Sequence, residues 1–525
     1  MTGASGHMNG AHFVTRTCLV FLLAFECSSL VQKLPDNASE KKSNIIFILT
    51  DDQDVTMKGM TPMVKAKKLI GDAGMIFSNM FTSTPLCCPS RSSILTGKYI
   101  HNHNAVNNTI EGRCSSPLWQ NGPEKKTFAT KLKEQNYTTF FAGKYLNQYG
   151  NKHSGGYQHI PPGWDWWTAL LFNSVYYNYS LSVNGTLEKH GDDYHKDYLT
   201  DVINNRSMEF LELQNDDSPP FFMMISTPAC HSPYEAAPQY LNNFTKESLP
   251  KDPSFNTHAK DKHWILRQAP TPMSNSSLQF VSDVFRKRWR TLLSVDDIVS
   301  NVFGALTRKG FLDTTYVIFS SDNGFHLGQF SLPNDKRQLY EFDIRVPLMI
   351  RGPGIKARSV NHKPVVNIDI MPTIVHLSGA QPPSDVDGTS LVPLLMSSSK
   401  STAWREDFLV EYQGEYAPNG YKGCPHTEFL NTCYPNCVCE DGYNNTYACI
   451  RKITESVNTM FCQFSDSENF QEFYNLTADS HQMINIASQL QPGFLAELND
   501  RLITLSVCHG AECRKLQPVH QIREL

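Results

Sequence analysis

The chain has 525 residues, 40% hydrophobic and 19% charged, enough to bury a large core and to form two or more domains. A formal net charge of −4 gives no electrostatic footprint for nucleic acid. A polyanionic ligand would have to be met by a local basic pocket.

Residues 1–30 read as a secretory signal peptide. Arg16 precedes an apolar run from Cys18 to Phe25, and the small residues Ser28 and Ser29 follow. The run is too short to span a bilayer, and no later stretch is long enough, so no membrane span is expected. The chain then begins its core with Asn44–Thr50 (NIIFILT), a β-branched apolar run expected as a buried parallel strand ending in Asp51-Asp52. Residues 61–73 predict a helix, with Thr61 as N-cap and Pro62 in the first turn. Cys87-Cys88-Pro89-Ser90-Arg91 reads as a turn, with a helix opening behind it at Ser92–Tyr99. A short helix over 127–135 and a strand over 138–142 follow, ending near Gly143-Lys144. Phe221–Ser226 (FFMMIS) is another buried strand, running into Thr227-Pro228-Ala229-Cys230-His231. Residues 280–307 predict a long helix whose Arg286-Lys287-Arg288 run is expected on a solvated face. Strands at 315–320 and 346–350 complete the series, the first ending in Ser321-Asp322-Asn323-Gly324.

Alternating strands and helices predict an α/β fold with a large, mostly parallel sheet flanked by helices. Such sheets gather ligands beyond the carboxyl ends of their strands, and there Asp51-Asp52, His231 and Asp322-Asn323 fall. We expect a catalytic domain over 40–395. Pro382-Pro383 and Ser397-Ser398-Ser399 punctuate its end, and a smaller, disulfide-rich α+β domain is expected over 400–525. Eight cysteines (Cys424, Cys433, Cys437, Cys439, Cys449, Cys462, Cys508 and Cys513) lie in that second part. In an oxidising compartment they read as disulfides rather than a zinc site, because no histidines stand at ligand spacing. The roles of Cys88, Cys114 and Cys230 stay open. Sequons at Asn37, Asn107, Asn136, Asn178, Asn184, Asn205, Asn243, Asn275, Asn444 and Asn475 predict a glycoprotein.

Asp51, Asp52, Asp322 and Asn323 are hard oxygen donors of the kind that hold Ca²⁺ or Mg²⁺. Taken singly, each cluster also fits a strand-end turn. Arg91, Lys144, His231 and Lys336 are candidates to surround an anionic ester and protonate its leaving group.

Together these residues resemble the sulfatase family: Asp51-Asp52, Cys87-x-Pro89-Ser90-Arg91 with Leu95-Thr96-Gly97-Lys98, Gly143-Lys144, His231, Asp322-Asn323-Gly324 and Lys336. The resemblance covers most of the chain and implies an alkaline-phosphatase-like fold. It implies that Cys87 is oxidised to formylglycine by the formylglycine-generating enzyme during biosynthesis. The aldehyde hydrate offers one hydroxyl to attack sulfur and a second to expel sulfate. It further implies one calcium ion held by Asp51, Asp52, Cys87, Asp322 and Asn323. Arg91 would position the hydrate, Lys144 and Lys336 would hold sulfate oxygens, and His231 would assist the leaving group. Where many members carry a histidine two residues after the lysine, this chain has Leu146, so Asn147 or His326 is expected to contact substrate instead.

Residues 87–103, 141–149, 285–297, 321–354 and 437–449 narrow the resemblance to members acting on 6-sulfated N-acetylglucosamine. This implies exo-acting hydrolysis of 6-O-sulfate esters in heparan sulfate and keratan sulfate fragments, in the lysosome or after secretion. Sulfatases of this kind are often homodimers. An endo-acting enzyme, a phosphatase or phosphodiesterase of the same fold, and an inactive glycan-binding glycoprotein are the alternatives. The long basic insertion typical of endo-acting members has no counterpart here.

Overall fold

The computed structural model describes residues 41–396, 403–415, 438 and 440–516. The expected signal peptide, Asn37 and the cysteines at 424, 433, 437 and 439 lie outside these residues. The described residues from 42 onward group as one compact unit.

A ten-stranded mixed sheet carries the molecule. Its central strands run parallel in the order Thr315–Ser321, Asn44–Thr50, Phe221–Ser226, Thr138–Lys144 and Trp166–Leu170. Leu348–Arg351 adds antiparallel to one side of this block, followed by Met75–Phe77 and Ser359–Asn361. Ser180–Val183 and Thr186–Lys189 extend the other side as an antiparallel meander.

Asn44–Thr50 is buried along its whole length because both faces of the sheet are covered. Ile45, Phe47 and Leu49 enter one apolar layer with Phe128, Leu132 and Ile374. Ile46 and Ile48 enter the other, with Ile203, Leu292 and Val299. These come from the helices Phe128–Glu134 and Ile370–Leu377 on one side, and Leu199–Leu213 and Asn275–Arg308 on the other. Each fully buried Ile or Phe adds about 1.5–3 kcal/mol of hydrophobic stabilisation.

Two helices start elsewhere than their local sequence suggests. Over 61–73, helix begins only at Val64, with Met63 at the N-cap, and continues in π-helical form over Lys67–Gly71. The amides of Lys65 and Ala66 are received by the Asp296 carboxylate at 2.9 and 2.8 Å, so a distant helix supplies the cap expected of Thr61. At the cysteine motif, helix begins at Cys87 itself and runs to Thr96. Extended Leu86 precedes it, and Gly97, at φ 70°, ends it in the left-handed conformation that glycine adopts without strain. The motif expected as a turn is therefore the first turn of a helix.

The C-terminal part is a four-stranded antiparallel sheet, Asp407–Tyr412, Tyr447–Ile453, Asn458–Phe464 and Gln471–Asn475, with the helix Pro492–Ser506 beside it. Cys449 and Cys462 stand opposite in register and are disulfide-bonded, as are Cys508 and Cys513. The sheet's apolar face shares one cluster with Phe330, Leu339, Tyr340 and Phe342, just beyond the Asp322-Asn323 loop. No helix among the described residues is long and apolar enough to cross a membrane.

Candidate active site

Four parallel strands end at one place. Asp51-Asp52 follows Asn44–Thr50, and Asp322-Asn323 follows its neighbour Thr315–Ser321. Lys144 closes Thr138–Lys144, and His231 comes five residues after Phe221–Ser226. Side chains on an extended strand alternate in direction, so two consecutive carboxylates do not ordinarily converge. Here Asp52 adopts φ 62° and breaks the alternation. One carboxylate oxygen each of Asp51, Asp52 and Asp322 consequently lies within 4.8 Å of the other two. Gly143 makes a comparable close approach: at φ 113°, a Cβ there would stand 1.8 Å from the Ser226 carbonyl oxygen.

Each carboxylate has a cationic partner, and every group involved is buried. Lys144 Nζ lies 2.6 Å from Asp51 Oδ2, Lys336 Nζ 2.9 Å from Asp52 Oδ2, and Arg91 Nε 2.7 Å from Asp322 Oδ2. Burial alone would raise the Asp51 and Asp52 carboxyls. Lys144 and His231 hold the first well below its ordinary value, and Lys336 and His231 lower the second. Burial and the neighbouring Asp51 push Asp322 up to about 7, the mark of a crowded negative cluster. Asn323 donates to Asp52 Oδ1 at 2.8 Å, while its own buried Oδ1 has no partner. Three hard carboxylates, a crowded charge and an orphaned amide oxygen together fit a hard divalent cation.

Cys87 Sγ donates to Asp51 Oδ1 at 3.6 Å. Burial pushes the thiol up to about 12, so as a cysteine it is neutral and a poor nucleophile. The Cys88–Cys114 disulfide anchors the adjacent residue, and Asn108 Oδ1 accepts the Cys88 amide at 2.9 Å. Arg91 also donates to the Lys144 carbonyl and to Ser226 Oγ, both at 2.8 Å. His231 Nε2 stands 4.0 Å from Asp52 Oδ2. Burial, reinforced by Lys336, drives its pKa down to about 4, so the ring is neutral.

The structure thus brings together Asp51, Asp52, Cys87, Arg91, Lys144, His231, Asp322, Asn323 and Lys336. Asn147 is 4% exposed, with its Oδ1 unpartnered. His326 differs from expectation. It is fully buried, Nδ1 lies 3.0 Å from Asp343 and Nε2 3.0 Å from Glu440, so neither ring nitrogen is left for a substrate. Burial opposes its charge, but Asp343 and Glu440 raise it to about 10.

Three participants were given no role at the site by the sequence. Ser174 Oγ donates to Asp51 Oδ2 at 2.5 Å, and Ser90 Oγ to the Asp322 carbonyl at 2.5 Å. Arg288, expected on a solvated face, is 2% exposed. It donates to the Asp52 carbonyl at 2.7 Å and to Asp54 at 3.0 Å, and lies over the Phe325 ring. A signal existed for Arg288: it falls in the buried stripe of its helix, between Val284 and Leu292. No comparable signal marks Ser174.

Residues 43–380 match the family model for sulfatases, and the chain belongs to the sulfatase family, hydrolases of sulfuric esters. Among its relatives, the N-acetylglucosamine-6-sulfatase of Capra hircus is 53% identical over 477 residues, 90% of this chain and 85% of that protein. The Homo sapiens protein of the same name is 52% identical, covering 91% and 87%. A Drosophila melanogaster extracellular sulfatase SULF-1 homolog is 44% identical over 72% of this chain but only 34% of its own length. In fold, the chain is similar to a solved complex of a protein with its substrate D-glucosamine-2-N,6-O-disulfate, at TM-score 0.70 and 22% identity, covering 89% of this chain and 97% of that one. The phosphonate monoester hydrolase of Agrobacterium radiobacter shares the fold at TM-score 0.65 and 18% identity, covering 88% and 95%.

Proposed function

We propose that the chain removes 6-O-sulfate from N-acetylglucosamine at the non-reducing end of heparan sulfate and keratan sulfate fragments, in the lysosome or after secretion. The relatives named for that activity support the sugar and the position. The observation that carries the mechanism is the placement of Cys87 at a helix start, beside the carboxylate cluster and ringed by Arg91, Lys144 and Lys336.

As formylglycine, residue 87 would supply the two hydroxyls of an aldehyde hydrate, one to attack sulfur as the sugar oxygen leaves and the other to release sulfate. Asp51, Asp52, Asp322 and Asn323, with residue 87, would hold one calcium ion, which would supply Lewis-acid polarisation of a bound sulfate ester. The three carboxylates are already matched by Arg91, Lys144 and Lys336, so a divalent cation leaves the pocket net positive and suited to an anionic ester. Lys144 and Lys336 then bind sulfate oxygens, and Arg91 fixes the residue 87 side chain. The ester's negative charge, entering beside His231, counters Lys336 and favours a proton on the ring. His231 passes that proton to the departing sugar oxygen. Asn147 offers its unpartnered oxygen to the sugar. Glycans at the sequons belong to the same reading: Asn136, Asn178, Asn184, Asn205, Asn243 and Asn275 are exposed, and Asn107, Asn444 and Asn475 are half-buried. A homodimer remains part of it by resemblance.

The mechanism is tested on protein from a secretory cell that makes formylglycine. Mass spectrometry is expected to find residue 87 as the aldehyde, and metal analysis one calcium per chain. Cys87→Ser, which can accept a sulfate but lacks the second hydroxyl, is expected to stop after one turnover. A correctly folded Cys87→Ser protein with full turnover would contradict the mechanism.

A further inference from the structure

Lys336 sits between residues that are fastened to groups outside the site. The Asp335 carbonyl accepts the His326 amide at 2.9 Å. The Gln338 amide donates to Asp343 at 2.9 Å, and its side chain to the Glu440 carbonyl at 2.7 Å. Between them, Arg337 adopts φ 92°, a left-handed conformation that a non-glycine residue keeps only where its surroundings enforce it.

Those surroundings come from the C-terminal part. Glu415 Oε2 accepts from both Nε and Nη2 of Arg337, at 2.9 and 2.7 Å. Asp441 stands 3.5 Å away, and Asp335 pairs with Nη1. The Arg337 carbonyl accepts from Tyr447 Oη at 3.0 Å. Glu415 also reaches the opposite wall: its Oε1 accepts the Asn108 amide at 3.1 Å, and Asn108 caps the start of the Cys87 helix through the Cys88 amide. One buried carboxylate therefore ties the Lys336 loop to the segment that carries Cys87. Placing several carboxylates around one buried guanidinium is a costly way to add stability. The C-terminal sheet already has an apolar face against the core.

We propose that Arg337, gripped by Glu415 and Asp441, is a positioning residue that holds Lys336 in register with residue 87, making the C-terminal part a contributor to the reaction geometry. The inference rests on the proposed role of Lys336 at the sulfate. Arg337 itself touches no substrate. It acts by fixing the backbone from which Lys336 reaches Asp52 and the space beside it. A loop displaced by an ångström would carry the ammonium away from the sulfate oxygens.

A double-mutant cycle on the full chain tests this, with inorganic sulfate and a 6-sulfated N-acetylglucosamine ester as probes. Glu415→Gln keeps the side chain's shape and removes its charge. The expected result is a kcat lower by on the order of tenfold to a hundredfold. The inhibition constant of sulfate rises in parallel, while thermal melting shows a folded chain. In a Lys336→Met background the same substitution is expected to cost several-fold less in both quantities, because the main group it positions is gone and only its tie to Asn108 remains. Tyr447→Phe removes only the hydroxyl bond to the Arg337 carbonyl. It gives the same pattern with a smaller loss, and it carries the test if Glu415→Gln does not fold. Equal losses in both backgrounds, or an unchanged sulfate constant, overturn the inference while leaving the sulfatase reading intact. A wild-type chain that releases no sulfate from this ester overturns the substrate reading and the inference together.

Discussion

His231 shows how the site's charges set a residue's work. Its pKa of about 4, set by burial first and then by Lys336, leaves the ring of the free protein neutral near pH 7. A proton is favoured there only when an anion enters. Its contribution should therefore depend on how much help the leaving group needs. For a sugar alcohol, a poor leaving group, His231→Gln is expected to lower kcat by about 10²–10⁴-fold. For an activated aryl sulfate the loss should be far smaller. Rates on the two esters, measured side by side, decide it; equal losses would mean that His231 only binds sulfate.

At the scale of elements, the His326 bridge ties the Asp322-Asn323 loop to the C-terminal part through Glu440. Burial pushes Glu440 up to about 7 from its ordinary 4.5, despite the bond to His326. Asp441 is pushed to about 7 from 3.8, again by burial first. Between the unfolded and folded values the native state binds these protons more tightly than the unfolded chain. Their stabilisation is therefore full below the lower value and is lost as pH rises through the upper one. His326, raised to about 10, stays charged throughout that window. Relative to Glu440→Gln, the wild-type chain is expected to lose stability as pH rises from about 4.5 to about 7, by on the order of 3 kcal/mol across that window, read as the difference between the two melting curves. Identical slopes in the two proteins would remove Glu440 from the account.

The same scale shows what was legible in the sequence. The central strands were readable because apolar runs such as NIIFILT, buried on both faces, need no context to be recognised. The site was readable because its polar pairs stand at the ends of those strands. The helix starts at Val64 and Cys87 were not, since one is capped by Asp296 from a distant helix and the other begins inside a motif expected as a turn. Arg288 was misjudged because three consecutive basic residues look solvated until the helical stripe is followed through them. His326 was misjudged because its acidic partners are distant in sequence. Glu440 is separated from it by more than a hundred residues.

At the scale of the whole molecule, a sheet with both faces covered leaves only its strand ends free to build a pocket, and the candidate catalytic groups gather there. The C-terminal part adds Glu415 and Tyr447 as partners of Arg337, and Glu440 as the partner of His326. The fold alone does not fix the reaction, since a phosphonate monoester hydrolase shares it. What this chain adds is Cys87 at a helix start, between a cation-ready carboxylate cluster and three buried cations. The account is tested most directly by supplying the converted enzyme, at acidic pH, with oligosaccharides that carry 6-O-sulfated N-acetylglucosamine either at the non-reducing end or only internally. Sulfate release from the terminal sugar alone is the predicted result. Release from internal sugars would contradict exo action, and no release from either would contradict the proposed substrate.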